Sequence, residues 1–119
     1  MAWNFSADKL IYMQIADRII MSIISGEYAP GAQIPSVRQL ALEAAVNPNT
    51  VQHAFTELEN EGVIISKGTV GRYVTEDEKI IEKCRKKTAE QTIKAFAQNI
   101  QPLGLQKSEI IKMLEEELS

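Results

Sequence analysis

Residues 35–62 read PSVRQLALEAAVNPNTVQHAFTELENEG and contain the signals for two short helices joined by a tight turn. Ser36 is a typical N-cap residue, and the apolar residues that follow it recur at helical spacing. Asn47 and Pro48 supply a second N-cap with proline at the first helical position, so another helix begins there and runs to the Glu61-Gly62 pair. The stretch therefore predicts a helix-turn-helix.

The second of these helices has one apolar and one polar face. Its apolar residues follow the i, i+3, i+4, i+7 spacing of a buried face: Val51, Ala54, Phe55 and Leu58. Its opposite face is expected to display uncharged donors and acceptors: Asn49, Gln52, His53 and Thr56. Such side chains can hydrogen-bond to base edges in the major groove of DNA. A polar helix face is most often simply solvated, so the elements around it must decide between the two interpretations.

The flanking sequence completes the pattern of a winged helix. Apolar residues recur at helical spacing from Ile11 to Ser25, which predicts a first helix. Downstream, the β-prone runs Val63–Ser66 and Arg72–Thr75 are separated by the glycine-bounded residues 67–71 and are typical of a hairpin. Three helices followed by a hairpin indicate a winged helix-turn-helix, and this joint order is much rarer than any of its parts.

The remaining sequence is charge-rich and helical. A long helix that stops at Gln101-Pro102 and a short last helix carry apolar stripes: Ile93, Phe96 and Ile100, then Ile110, Ile111, Leu114 and Leu118. Two such helices form too small a core alone, so they are expected to pair with the same helices of a second subunit. The predicted fold is mostly α with a small β-hairpin, with a DNA-binding domain at residues 1–75 and a helical dimerisation tail at residues 76–119.

Composition excludes several classes of function. With 119 residues, 45% apolar and 24% charged, the chain is of ordinary globular character and has room for one domain with an appendage. A single cysteine, Cys84, and a single histidine, His53, provide neither a disulfide framework nor a metal cluster. No nucleophile–base set, paired carboxylates or phosphate loop is evident, so we expect that the protein is not an enzyme and binds no cofactor. The start of the chain lacks a signal-peptide pattern, and no membrane span is predicted, which favours a cytoplasmic protein.

The charge balance is mildly acidic, which is unusual for a nucleic-acid-binding protein. The net charge is −3 for the chain and −2 for residues 1–74, which hold five basic and seven acidic residues. Placement answers this objection, since Arg38, Lys67, Arg72 and two helix N-termini could face phosphate. The carboxylates of the third helix lie towards its far end. Few cations per subunit imply that two subunits must bind one DNA site.

Several segments together resemble the DNA-binding domain of the GntR family of bacterial regulators. They are IYMQIA at 11–16, IPSVRQLA at 34–41, NPNTV at 47–51 and EG at 61–62, and the likeness extends from about Ile11 to Val74. The short helical tail, in place of a larger ligand-binding domain, resembles the YtrA subfamily, whose members are dimeric repressors often linked to ABC-transporter operons. The wing departs from the usual Gly-x-Gly-Thr-Phe-Val run, because Arg72 stands where family members have a small polar residue.

The resemblance implies that Arg38 contacts the DNA backbone or a base edge. It also implies that the third helix is the reading helix, which contacts base edges, and that it carries Asn49, Thr50, Gln52 and His53. With the residues indicated by the pattern, the expected DNA-binding set is Ser36, Arg38, Asn47, Asn49, Thr50, Gln52, His53, Thr56, Lys67, Gly68 and Arg72. The expected function is a repressor that binds an inverted-repeat operator in double-stranded DNA as a homodimer and controls a transporter operon. The alternative is a winged-helix protein-interaction module without specific DNA binding. The sequence identifies no small-molecule effector.

Overall fold

A computed structural model describes residues 3–7 and 9–119 of the chain. It is mostly helical with one small antiparallel sheet, and this confirms the predicted winged helix-turn-helix followed by helices. The elements in chain order are α1 (Ile11–Ile24), α2 (Val37–Ala44), α3 (Pro48–Asn60), β1 (Ile64–Ser66), β2 (Arg72–Val74), α4 (Glu78–Ile100), a 3₁₀ turn (Gln101–Leu103) and α5 (Lys107–Leu118).

Local hydrogen bonds define the helix-turn-helix. The Ser36 hydroxyl accepts a bond from the backbone N–H of Gln39 at 3.1 Å and caps α2. The Asn47 carboxamide oxygen accepts from the backbone N–H of Asn49 at 2.8 Å and caps α3. Between the helices, Ala45 adopts the left-handed conformation with φ of 56°. These caps and this turn place the start of α3 a few residues after the end of α2.

The core lies between the three N-terminal helices and the base of the hairpin. Phe55 is fully buried at its centre, and the first turns of α4 close it from another side through Ile81. Each large apolar side chain buried in this way contributes about 1.5–3 kcal/mol. The buried apolar residues of this cluster are Ile15, Ile19, Ile23, Ile34, Leu40, Ala41, Val51, Ala54, Phe55, Leu58, Val63, Ile64, Val74 and Ile81.

The wing contains one more extended segment than the sequence predicted. Strands β1 and β2 pair in antiparallel register, with Ile64 opposite Val74 and Ser66 opposite Arg72. On the other side of β2, residues 31–34 also form ladder bonds, since the Ile34 N–H donates to the Arg72 carbonyl at 2.9 Å and the Val74 N–H donates to the Ala32 carbonyl at 2.9 Å. Strand β2 is therefore held on both sides, and the chain entering α2 is tied to the wing.

The chain divides into two compact units, the first ending at Arg85 and the second formed by Lys86–Ser119. The first unit includes the start of α4, where Ile80 and Cys84 pack against the core beside buried Ile81. Division into separate domains after residue 75 stays a prediction. In the second unit, all of which the structure describes, no residue is buried. None of the described helices has the length and apolar character needed to cross a membrane.

Candidate nucleic-acid interface

Helix α3 presents its two faces as its spacing predicted. Val51, Ala54, Phe55 and Leu58 are buried. The side chains of Asn49, Gln52, His53 and Thr56 are exposed. The exposed residues lie on a helix that is capped by Asn47 and packed against α1 and α2 through its apolar face. A rigid support of this kind holds polar side chains in a fixed array, as reading of base edges requires.

A groove lies between the wing, the start of α2 and helix α3. Five of the predicted DNA-binding residues line it: Ser36, Arg38, Gln52, Gly68 and Arg72. The rest of its wall comes from residues 33–35, Val37, Phe55, Ser66 and residues 69–71. The folded chain thus brings together predicted residues that are distant in sequence, since Ser36 and Arg72 are 36 positions apart.

The other six predicted residues lie outside the lining of this groove, and the structure describes all of them. Asn47, Asn49 and Thr50 lie at the N-terminal end of α3, where the helix dipole attracts phosphate. His53 and Thr56 lie further along the same helix. The ammonium of Lys67 lies 4.6 Å from the centroid of the Tyr73 ring and is exposed on the wing.

Arg38 and Arg72 differ in what surrounds them. The Arg38 side chain is exposed and forms no hydrogen bond or ion pair with any residue that the structure describes. Arg72 was expected to face phosphate, but its Nε donates to Glu59 Oε1 at 2.7 Å and its guanidinium carbon lies 4.9 Å from the Phe55 ring centroid. Its side chain is 24% exposed. Arg38 is thus available to an external anion, whereas Arg72 already has a carboxylate partner.

Tyr12 is a surface partner of the reading helix that sequence reasoning missed. Its ring stacks on the imidazole of His53, with centroids 3.6 Å apart and planes 11° from parallel. The sequence predicted only the helix that contains Tyr12, and nothing local indicates which side chain its ring meets, because the contact depends on how α1 crosses α3. The stacking limits the rotamers of His53, whose Nε2 also lies 3.9 Å from Glu57 Oε1.

Metal ligands are not grouped in this surface or elsewhere in the described part of the chain. No set of three or more His, Cys, Asp or Glu side chains within that part is arranged to hold a metal ion. The chemistry available at the interface is therefore hydrogen bonding by amides, hydroxyls and imidazole, together with attraction of anions by Arg38 and Lys67.

A capped helix with an exposed polar face, a bracing helix before it and a wing beside it define the winged helix-turn-helix class of DNA-binding proteins. The model of the family described as "Bacterial regulatory proteins, gntR family" matches residues 11–74, and the chain belongs to this family. It is a DNA-binding transcription regulator, as the resemblance implied, and not an enzyme.

Two relatives are similar over different lengths. The HTH-type transcriptional regulator YhcF of Bacillus subtilis is 33% identical over 109 residues, which cover 92% of this chain and 90% of YhcF. The HTH-type transcriptional repressor YtrA of the same organism is 42% identical over 69 residues, which cover 58% of this chain and 53% of YtrA. The likeness to YhcF thus includes the C-terminal helices.

Two solved structures support the same conclusion. A GntR family transcriptional regulator from Listeria monocytogenes has a TM-score of 0.82 and 37% identity, and the match covers 94% of this chain and 98% of that one. AraR(DBD) in complex with operator ORX1 has a TM-score of 0.55 and 25% identity, covering 63% of this chain and 92% of that one. The second match concerns a protein whose structure contains its operator.

Proposed function

We propose that this protein is a repressor that binds an inverted-repeat operator as a homodimer, with α3 in the major groove and the wing beside it. The observation that carries the proposal is the exposed polar face of α3 next to a groove lined by Arg38 and the wing. Similarity to the repressor YtrA and to an operator-bound AraR(DBD) supports it.

Within this proposal the predicted residues have two kinds of role. Arg38, Lys67 and the N-terminal ends of α2 and α3 bind phosphate and set the position of the protein on the duplex. Base edges are read by the polar residues of α3, with Gln52 and His53 at the centre of the exposed face. Ser36 and Asn47 act through their capping bonds, which fix the starts of α2 and α3, and Gly68 keeps the wing free of a side chain where it approaches DNA.

The proposed dimer is formed by the second unit. Ile93 and Leu118 are 65% and 83% exposed, which is costly for large apolar side chains in water. Within Lys86–Ser119, where every residue is described, even the most protected apolar residues are only half-buried. The proposed interface comprises Ile93, Phe96, Ile100, Ile110, Ile111, Leu114 and Leu118. Closing these stripes against a second copy gives two-fold symmetry, and such symmetry requires an inverted repeat.

The regulated genes follow only from the subfamily resemblance. YtrA-type regulators are often linked to transporter operons, so we propose that the operator lies upstream of such an operon, with the protein acting in the cytoplasm. A small-molecule effector is not part of the proposal.

Selection of DNA fragments with the purified 119-residue chain tests the proposal. We expect an inverted repeat whose half-sites are separated by about one or two helical turns. Replacing Gln52 and His53 together with alanine should weaken operator binding more than binding to random DNA, because each good base contact contributes about 1–3 kcal/mol of discrimination. Gln98→Ala, at an exposed amide of α4, is the control. Equal losses on operator and random DNA would remove the base-reading role of these two residues.

A further inference from the structure

A chain of polar contacts links the wing to the reading helix. Arg72 on β2 donates through Nε to Glu59 and through a terminal nitrogen to the side-chain oxygen of Gln52, at 3.3 Å. Gln52, Phe55 and Glu59 lie at i, i+3 and i+7 of α3 and so share one stripe of the helix. The guanidinium therefore lies along this stripe, with its central carbon over the Phe55 ring and its nitrogens on Glu59 and Gln52.

The side-chain amide of Gln52 is held at both ends. Its oxygen accepts from Arg72, and its NH₂ group donates to the Thr56 hydroxyl at 3.3 Å. That hydroxyl donates in turn to the backbone carbonyl of Gln52 at 3.0 Å. A free glutamine amide can turn over and exchange its donor and acceptor ends, whereas this arrangement assigns the oxygen to the wing side. Each end keeps hydrogen-bonding capacity for a base, since the NH₂ group has a second hydrogen and the oxygen a second lone pair.

Arg72 is itself fixed by the wing. Its carbonyl accepts the Ile34 N–H, and it pairs with Ser66 across the ladder, so its backbone belongs to the central strand. The ion pair with Glu59 offsets its charge locally and lowers the attraction that it offers to phosphate. Its geometry suits bridging of two acceptors on one helix.

We infer that Arg72 is a positioning residue that sets the orientation of the Gln52 amide and, through it, the base preference of the protein, instead of binding phosphate. The inference rests on the proposed role of Gln52 in reading bases. This role requires arginine at position 72, because lysine has no planar fork with which to hold Glu59 and Gln52 together.

Base preference and salt dependence together test this inference. Operator binding by the full-length protein is measured for each base change in a half-site and over a range of salt concentrations. Arg72→Lys and Gln52→Ala should both lose discrimination at the same operator position, by roughly 5- to 10-fold for the lysine variant. Arg72→Lys keeps the charge, so its salt slope should equal that of the wild type. In the Gln52→Ala background, Arg72→Lys should cause no further loss at that position.

A phosphate contact by Arg72 would instead affect the salt slope and leave base preference unchanged. Lys67→Ala, which removes the other wing cation, should weaken operator and random DNA alike and lower the salt slope by about one. If Arg72→Ala behaves like Lys67→Ala and leaves base preference intact, the inference is wrong. Glu59→Ala gives an independent variant if Arg72 substitutions do not fold, and it too should weaken discrimination at the Gln52 position.

The outcomes separate this inference from the proposed function. If Gln52→Ala changes base preference and Arg72→Lys does not, only the positioning role fails. If Gln52→Ala leaves base preference unchanged at every position, the base-reading assignment fails, and the positioning role fails with it. Circular dichroism and thermal unfolding of each variant establish that the comparisons are made between folded proteins.

Discussion

The two compact units of this chain differ in how far they bury their apolar side chains. The unit that ends at Arg85 buries its apolar residues within one chain, with Ile15, Val51 and Phe55 fully removed from solvent. The unit formed by Lys86–Ser119 has comparable apolar stripes, but none of its residues, all of which are described, is buried. A single chain can thus stabilise the DNA-binding unit, whereas the C-terminal unit leaves its apolar side chains exposed, and this exposed surface is the basis of the proposed dimer.

This difference in burial arises from the number of helices and strands that pack around the apolar side chains of each unit. In the first unit, α1, α2, the wing and the start of α4 surround α3, so a side chain such as Phe55 is enclosed from several directions. The second unit, all of which is described, has two α-helices, the larger part of α4 and the short α5, and two helices can cover just one side of each other. The comparison predicts that substitutions in the two units depend differently on protein concentration.

The largest effect is expected at the centre of the first core. Phe55→Ala should lower the free energy of unfolding by about 3–5 kcal/mol because it leaves a cavity in a closed core. The loss should be present in monomer and dimer alike. Ile93→Ala is the matched variant in the second unit, and its cost should vanish when the protein is diluted until dimers dissociate. Urea unfolding at several protein concentrations checks this, and an equal, concentration-independent loss for both variants would break the comparison.

The next effect concerns assembly. Ile93→Asp should leave the first unit folded and raise the dimer dissociation constant by about 100-fold, since it places a carboxylate in a closed apolar interface. Operator affinity should fall with it, because the two half-sites then bind independently. Gln91→Asp adds the same charge at an exposed position on another side of α4 and is the control. Sedimentation that gives the same dimer for Ile93→Asp and the wild type would contradict the proposed interface.

A smaller effect is expected at Arg38, an exposed cation of the DNA-binding unit. Arg38→Ala should weaken operator and random DNA similarly and reduce the slope of log affinity against log salt by about one, as loss of one phosphate contact predicts. Lys94→Ala removes a cation from the second unit and should leave the slope unchanged. Fluorescence anisotropy across salt concentrations provides the measurement, and an unaltered slope for Arg38→Ala would exclude the backbone contact.

The smallest effect tests the turn of the helix-turn-helix. Ala45→Gly should stabilise the protein by about 0.5–1 kcal/mol, because relief of the left-handed backbone at Ala45 exceeds the entropy that glycine adds to the unfolded chain. Ala44→Gly, one residue earlier and still within α2, should destabilise by about 1 kcal/mol. Thermal unfolding that shifts in the same direction for both variants would show that the turn carries no such strain.

Positioning of the candidate site was only partly predictable. The exposed face of α3 follows from the spacing of its apolar residues, so Gln52 and His53 could be placed on it from sequence. The side chains that contact Gln52 and His53 could not be predicted from sequence. The ring of Tyr12 reaches His53, and the guanidinium of Arg72 reaches Gln52, across 41 and 20 positions of sequence. No periodicity carries information about such pairs.

The sequence by itself determined the helix starts at Ser36 and Asn47, the order of helices and hairpin, and the family, because capping bonds and apolar spacing act over a few residues. Only the tertiary structure decided that residues 31–34 add a third extended segment to the wing, that Ile81 closes the core and that Arg72 faces Glu59. These features depend on how distant elements pack, and the packing is fixed by the shape of the whole core and not by any local stretch of the chain.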